Sequence, residues 1–191
     1  VNQSSCTACP QGTYSTFPSA ASILSCILCE PGKFQSGFGE FECDLCLAGT
    51  YQSSFGSIDC TLCPAGMYQS GMGMISKLSC TLCDAGKFQT GEGVPDSADC
   101  IDCPVGSFSK TRGALSPAAC LPCGQGKYQT AAGASDDSYC VACPQGTYQT
   151  GTGMQYNTSC QLCKSGTFQS GVGMIWNENC TPCLGGTYQM G

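Results

Sequence analysis

The stretch CVACPQGTYQTGTG, from Cys140 to Gly153, holds every position that recurs along this chain. It opens on a C-x-x-C pair and places Gly146 six residues after Cys140, with Tyr148 two residues further on. Gln149 and Thr150 follow, and a second glycine closes the motif at Gly153. Outward from this stretch the same frame occurs ten times, with first cysteines at Cys6, Cys26, Cys43, Cys60, Cys80, Cys100, Cys120, Cys140, Cys160 and Cys180. The steps are 20 residues, except for 17 from Cys26 to Cys43 and 17 from Cys43 to Cys60. The glycine and the aromatic are present in all ten, from Gly12 and Tyr14 to Gly186 and Tyr188. A fixed period of this size marks a repeat array. No break in composition interrupts it, so residues 1–191 read as one continuous array of ten cysteine-rich repeats.

Each recurring position has a physical meaning. The glycine after the C-x-x-C pair marks a turn with positive φ, where a side chain would clash. The G-x-[YF]-Q-[ST] segment reads as a short strand, with its aromatic pointing inward and the neighbours pointing out. On that reading Tyr148 fills part of an interior seam. Small or apolar residues beside the second glycine position (Ala20, Met74, Val94, Ala114, Ala134, Met154 and Met174) are expected to pack against the aromatics. No segment keeps a 3.6-residue apolar period, so little helix is expected. A single repeat is too short to bury its own aromatic and must stack on its neighbours. The expected fold is a set of small disulfide-rich repeats, an elongated rod or solenoid of ten short β-hairpin and loop units held by nearest-neighbour contacts.

Composition narrows the function. Twenty of 191 residues are Cys, 10% are charged, and the net charge is −6 with no His. Cysteine at that density replaces part of the core that a scaffold of this kind lacks. The shortage of Lys and Arg argues against a nucleic-acid partner. No apolar run reaches the roughly 20 residues needed to cross a bilayer. No signal peptide is visible at Val1, so the chain reads as a processed or excised segment. Without His, the commonest general base and the Ser-His and Cys-His nucleophile pairs are missing, and the acidic residues are scattered. The chain therefore reads as a non-enzyme with no cofactor.

Three chemistries compete for the cysteines. Successive C-x-x-C pairs match the ligand spacing of a four-cysteine zinc ribbon, and ten pairs would make five sites. A redox C-x-x-C needs one reactive pair in a helical setting, and no helix signal accompanies any of the ten. Disulfides account for all ten pairs at once and place the chain outside the cell or on its surface. Three of the four Asn begin N-x-[ST] sequons, at Asn2, Asn157 and Asn179, and mark candidate glycosylation sites.

The stretches CPQGTYQTGTG (Cys143–Gly153) and CPAGMYQSGMG (Cys63–Gly73) resemble ephrin-receptor-like cysteine-rich repeats. They are also similar to the first loop module of tumour-necrosis-factor-receptor domains. Such repeats occur in receptor ectodomains, adhesion proteins and large surface proteins, so the resemblance speaks to fold and compartment more than to function. It implies that the second Cys of each pair bonds to the first Cys of the next. The implied bonds are Cys9–Cys26, Cys29–Cys43, Cys46–Cys60, Cys63–Cys80, Cys83–Cys100, Cys103–Cys120, Cys123–Cys140, Cys143–Cys160 and Cys163–Cys180. The rival scheme joins two adjacent repeats first Cys to first and second to second.

The implied scheme leaves Cys6 and Cys183 over. Joining the end of the chain to the start of another copy puts 17 residues between Cys180 and the next Cys6, one of the two steps already present. Further copies of the chain, head to tail, are therefore the expected partners, with an inter-copy Cys183–Cys6 bond. The expected role is a glycosylated extracellular filament or surface hair, such as a flagellar mastigoneme. The alternative is a ligand-binding or adhesive receptor stalk, for which Tyr139, Tyr156 and Trp176, outside the repeat positions, are the candidate patch.

Overall fold

A computed structural model describes residues 7–17 and 22–187. Their secondary structure consists of two-residue strands and single 3₁₀ turns. The chain divides into two compact units. The first comprises Val1–Cys83 and Gln89–Cys100, the second Asp84–Phe88 and Ile101–Gly191.

The first unit holds four antiparallel hairpins: Thr13–Tyr14 with Ile27–Leu28, Lys33–Phe34 with Asp44–Leu45, Thr50–Tyr51 with Thr61–Leu62, and Met67–Tyr68 with Thr81–Leu82. The second unit holds five, from Lys87–Phe88 with Ile101–Asp102 to Thr167–Phe168 with Thr181–Pro182. Every hairpin takes its first strand from one repeat and its second from the C-x-x-C of the next. Ten repeats therefore supply nine hairpins among the described residues.

The turn that starts each strand follows from the sequence. In Cys9-Pro-Gln-Gly-Thr13 the Thr13 N–H donates to the Pro10 carbonyl at 3.2 Å, and Gly12 sits at φ 76°. Positive φ at the third residue of a four-residue turn favours glycine. The turn delivers the Gly12 N–H to the Gln35 carbonyl of the next repeat (2.8 Å) and the Gly12 carbonyl to Cys29 N–H (2.9 Å). Within the first unit a Cβ on Gly12 would stand 2.1 Å from the Gly56 carbonyl oxygen, two repeats along. Contacts therefore reach the second neighbour, beyond the nearest-neighbour stacking expected from the repeat length.

The structure corrects the face on which the aromatics lie. Phe88 is buried at 8% exposure, but Phe168 is 47% exposed and most of the other repeat aromatics are half-buried. Tyr188 lies outside the described residues. The buried side chain is the next residue: Gln35, Gln69, Gln89, Gln129, Gln149 and Gln169, or a serine at Ser15 and Ser109. Alternation along a strand fixes that neighbours face opposite ways, but not which of them faces in. The interior of each disulfide loop is lined by backbone N–H and C=O groups that a phenyl ring cannot satisfy. A carboxamide can, because it both donates and accepts. Gln149 Oε1 accepts from Gly151 N–H (2.7 Å) while its Nε2 donates to the Ser159 carbonyl (2.5 Å), tying strand to loop. Gln89 does the same with Gly91 (2.9 Å) and Asp99 (2.6 Å).

Gln149→Ala is therefore expected to cost about 1–3 kcal/mol, since two backbone groups lose a partner. Phe168→Ala should cost less than about 1.5 kcal/mol, because half its ring already meets water. Denaturant midpoints of the two variants check the order.

Several of the apolar residues beside the second glycines are aligned with the aromatics by backbone bridges. Parallel bridges align Tyr68 with Val94 in the first unit, and Phe88 with Ala114 and Phe108 with Ala134 in the second. Val94, Ala114 and Ala134 are buried. Ala20 lies outside the described residues.

Candidate interaction surface

The cysteines fall where the turns bring them. Nine disulfides join the second Cys of one repeat to the first of the next: Cys9–Cys26, Cys29–Cys43, Cys46–Cys60, Cys63–Cys80 and Cys83–Cys100 in the first unit, and Cys103–Cys120, Cys123–Cys140, Cys143–Cys160 and Cys163–Cys180 in the second. A sulfur held in a disulfide has no thiolate to offer a metal, so a zinc array has no ligands at these positions. Cys183 is half-buried and has no sulfur partner among the described residues. Cys6 and Asn2 lie outside them. Asn157 and Asn179 are both exposed, as are Tyr139, Tyr156 and Trp176.

A family model described as tyrosine-protein kinase ephrin type A/B receptor-like matches residues 19–59, 32–80, 73–120 and 91–140. The chain belongs to this family. No curated protein matches it. As in the structure, each ephrin-receptor-like match spans more than one C-x-x-C pair and overlaps the next match. The disulfides and the family place the chain outside the cell or at its surface. Among the described residues no helix is long and apolar enough to cross a membrane.

The two units of this ephrin-receptor-like chain differ in what they show to solvent. In the first unit Leu28, Leu45 and Leu62 occupy the same repeat position, and their side chains lie over Gly56, Gly73 and Gly93 of the following repeat. A Cβ on these glycines would stand 2.6–2.8 Å from the leucine Cδ2 atoms. Phe55 and Met72, which precede two of those glycines, are exposed, as are the three leucines. At the same register the second unit puts Asp102 over Gly133, Pro122 over Gly153 and Ala142 over Gly173, and has one leucine at this position, the exposed Leu162. The sequence signal for this stripe is the recurring C-x-L-C, where the leucine is hidden among cysteines that claim the attention first.

Charge divides the same way. The first unit has eight carboxylates against Lys33 and Lys77, net −6, while the second has five of each sign. Glu40, Glu42, Asp44 and Asp59, among the short repeats, have no ion-pair partner among the described residues. In the second unit Lys87 pairs with Asp102 (2.7 Å), Lys110 with Asp137 (2.7 Å) and Arg112 with Asp84 (3.1 Å). The Lys110 hydrogen bond holds the Asp137 carboxyl below its ordinary range. This pair joins two repeats at an exposed site, so it adds little to stability.

Proposed function

We propose that this chain is a structural block of an extracellular fibre or surface hair, extended head to tail, and neither an enzyme nor a cofactor carrier. One observation carries the reading: every hairpin and every disulfide is completed by the following repeat. In this scheme each second cysteine needs the first cysteine of a further repeat. Cys183 stands in that position. Its N–H donates to the Gly166 carbonyl at 2.9 Å, as Cys163 N–H does to Gly146, and its thiol has no sulfur partner among the described residues. Cys6 of a following copy is the partner that the repeat frame offers. A head-to-tail contact that does not close on itself yields an open fibre.

The chain secreted under oxidising conditions and freed of N-glycans is expected to run on a non-reducing gel as a ladder of multiples of its 19.7 kDa protein mass. Reductant should collapse the ladder, and Cys183→Ser should abolish it. A single band whose Cys6 and Cys183 are both open to alkylation would overturn the reading. That outcome would favour the second reading, an adhesive stalk. The observation behind it is the apolar stripe in the first unit, whose unpaired carboxylates suit a basic protein surface.

A further inference from the structure

We infer that Asn157 carries an N-linked glycan and that Asn179, which has the same kind of sequon, does not. The inference rests on the extracellular placement of the chain and is independent of fibre assembly. In the step concerned, Asn157 Nδ2 bonds to the anomeric carbon of an oligosaccharide held on a lipid diphosphate. The bond from that carbon to the phosphate oxygen breaks, the diphosphate leaves with the electron pair, and Nδ2 gives up a proton. The transferase and its lipid-linked donor are those of a eukaryotic secretory pathway. They need a sequon whose three residues are free to adopt the enzyme's geometry.

The two sequons differ residue by residue. Asn157-Thr158-Ser159 forms one 3₁₀ turn. In the corresponding turns at Ile23–Ser25, Lys77–Ser79, Ser97–Asp99 and Asp137–Tyr139, a preceding Ser or Asp side chain accepts from the second N–H of the turn. Tyr156 stands at that position here and makes no such bond, and neither does Trp176 before the Asn177–Asn179 turn, so the sequons differ in their other contacts. The Asn157 side chain is exposed, and its carboxamide has no hydrogen-bond partner among the described residues.

Asn179-Cys180-Thr181 is held at all three positions. Asn179 Oδ1 accepts from Trp176 N–H at 3.1 Å, folding the side chain back over its own turn. Cys180 is bonded to Cys163. Thr181 pairs with Phe168 in a hairpin. Oxidation of the Cys163–Cys180 loop therefore withdraws this sequon from the transferase, while in the Cys143–Cys160 loop Asn157 and Thr158 stay exposed and side-chain bonding reaches only the Ser159 carbonyl, from Gln149. A glycan on Asn157 would also stand next to the exposed Tyr156 ring and make that face hydrophilic.

The test is to secrete the whole chain from cultured animal cells, release N-glycans with peptide:N-glycosidase in ¹⁸O-water, and map the labelled Asn-to-Asp conversions. Asn157 is expected to be converted in most copies and Asn179 in few. An unoccupied Asn157, or an Asn179 occupied as fully as Asn157, would overturn the inference. Cys180→Ser keeps the Asn179 sequon and removes the bond, so occupancy at Asn179 should rise several-fold, in retained as well as in secreted protein. If it stays empty in that variant, the disulfide is not what protects it.

Discussion

Reduction under otherwise native conditions is expected to unfold the described array completely. Among the described residues, the buried apolar side chains apart from cysteines are only Phe88, Val94, Ala114 and Ala134. So small a core cannot by itself offset the entropy of ordering the chain. The cross-links do much of that work, by limiting the unfolded state. Each disulfide closes a loop of 14 or 17 residues in sequence separation, worth about 3 kcal/mol in the loop-entropy model. Nine such bonds outweigh the whole stability of an ordinary domain, roughly 5–15 kcal/mol. Addition of a non-denaturing reductant should abolish protease resistance and leave the circular dichroism of an unfolded chain. A reduced protein that kept both would show that the stacked backbone hydrogen bonds suffice.

Large single-residue effects are expected at the glycines of these turns, and Gly106 is a representative one. Its φ is +81°, and a Cβ there would stand 2.3 Å from the Gly153 carbonyl oxygen, a backbone atom that cannot swing aside. The residue also sits inside a lattice of bonds. Its N–H donates to both the Gln129 carbonyl and Gln129 Oε1 at 2.9 Å, and its carbonyl accepts from Cys123 N–H at 2.8 Å. Gly106→Ala adds left-handed strain of about 1–2 kcal/mol to overpacking of about 1–3 kcal/mol. The sum, about 2–5 kcal/mol, should appear as a lower denaturant midpoint and as faster amide exchange at Cys123 and Gly153. Gly124→Ala is the control: no heavy atom lies within 4 Å of its Cβ position and its φ is not positive. It should change stability by no more than about 0.5 kcal/mol. Equal effects at the two sites would remove the close approach of repeats as the reason for the glycine.

The sequence announced these glycines by position alone. A residue that returns six places after every first cysteine, always as Gly, leaves little but a turn or a close approach to explain it. The structure shows both at Gly106. The aromatics are equally regular, yet the more deeply buried residue is the one that follows them. Tyr148 and Gln149 alternate in any strand, and hydrophobicity alone favoured the ring for the interior. The loop interior is lined by backbone, so Gln129, at 2% exposure, is the better occupant.

Residue type at fixed spacing was thus enough to establish the period, the hairpin-forming turns, the oxidising compartment and the family. The chemistry of a C-x-x-C pair or of a glycine at positive φ needs no knowledge of distant contacts. The folded arrangement was needed to tell which face of each strand is buried and that Gly12 meets Gly56 two repeats on. It was needed, too, to show that Leu28, Leu45 and Leu62 lie over glycines as an exposed stripe, and that Asn179 is held while Asn157 is open. These depend on the phase of the strand and on how far each turn of backbone advances before the next one docks. Both are set by hydrogen bonds between repeats, which no single repeat contains.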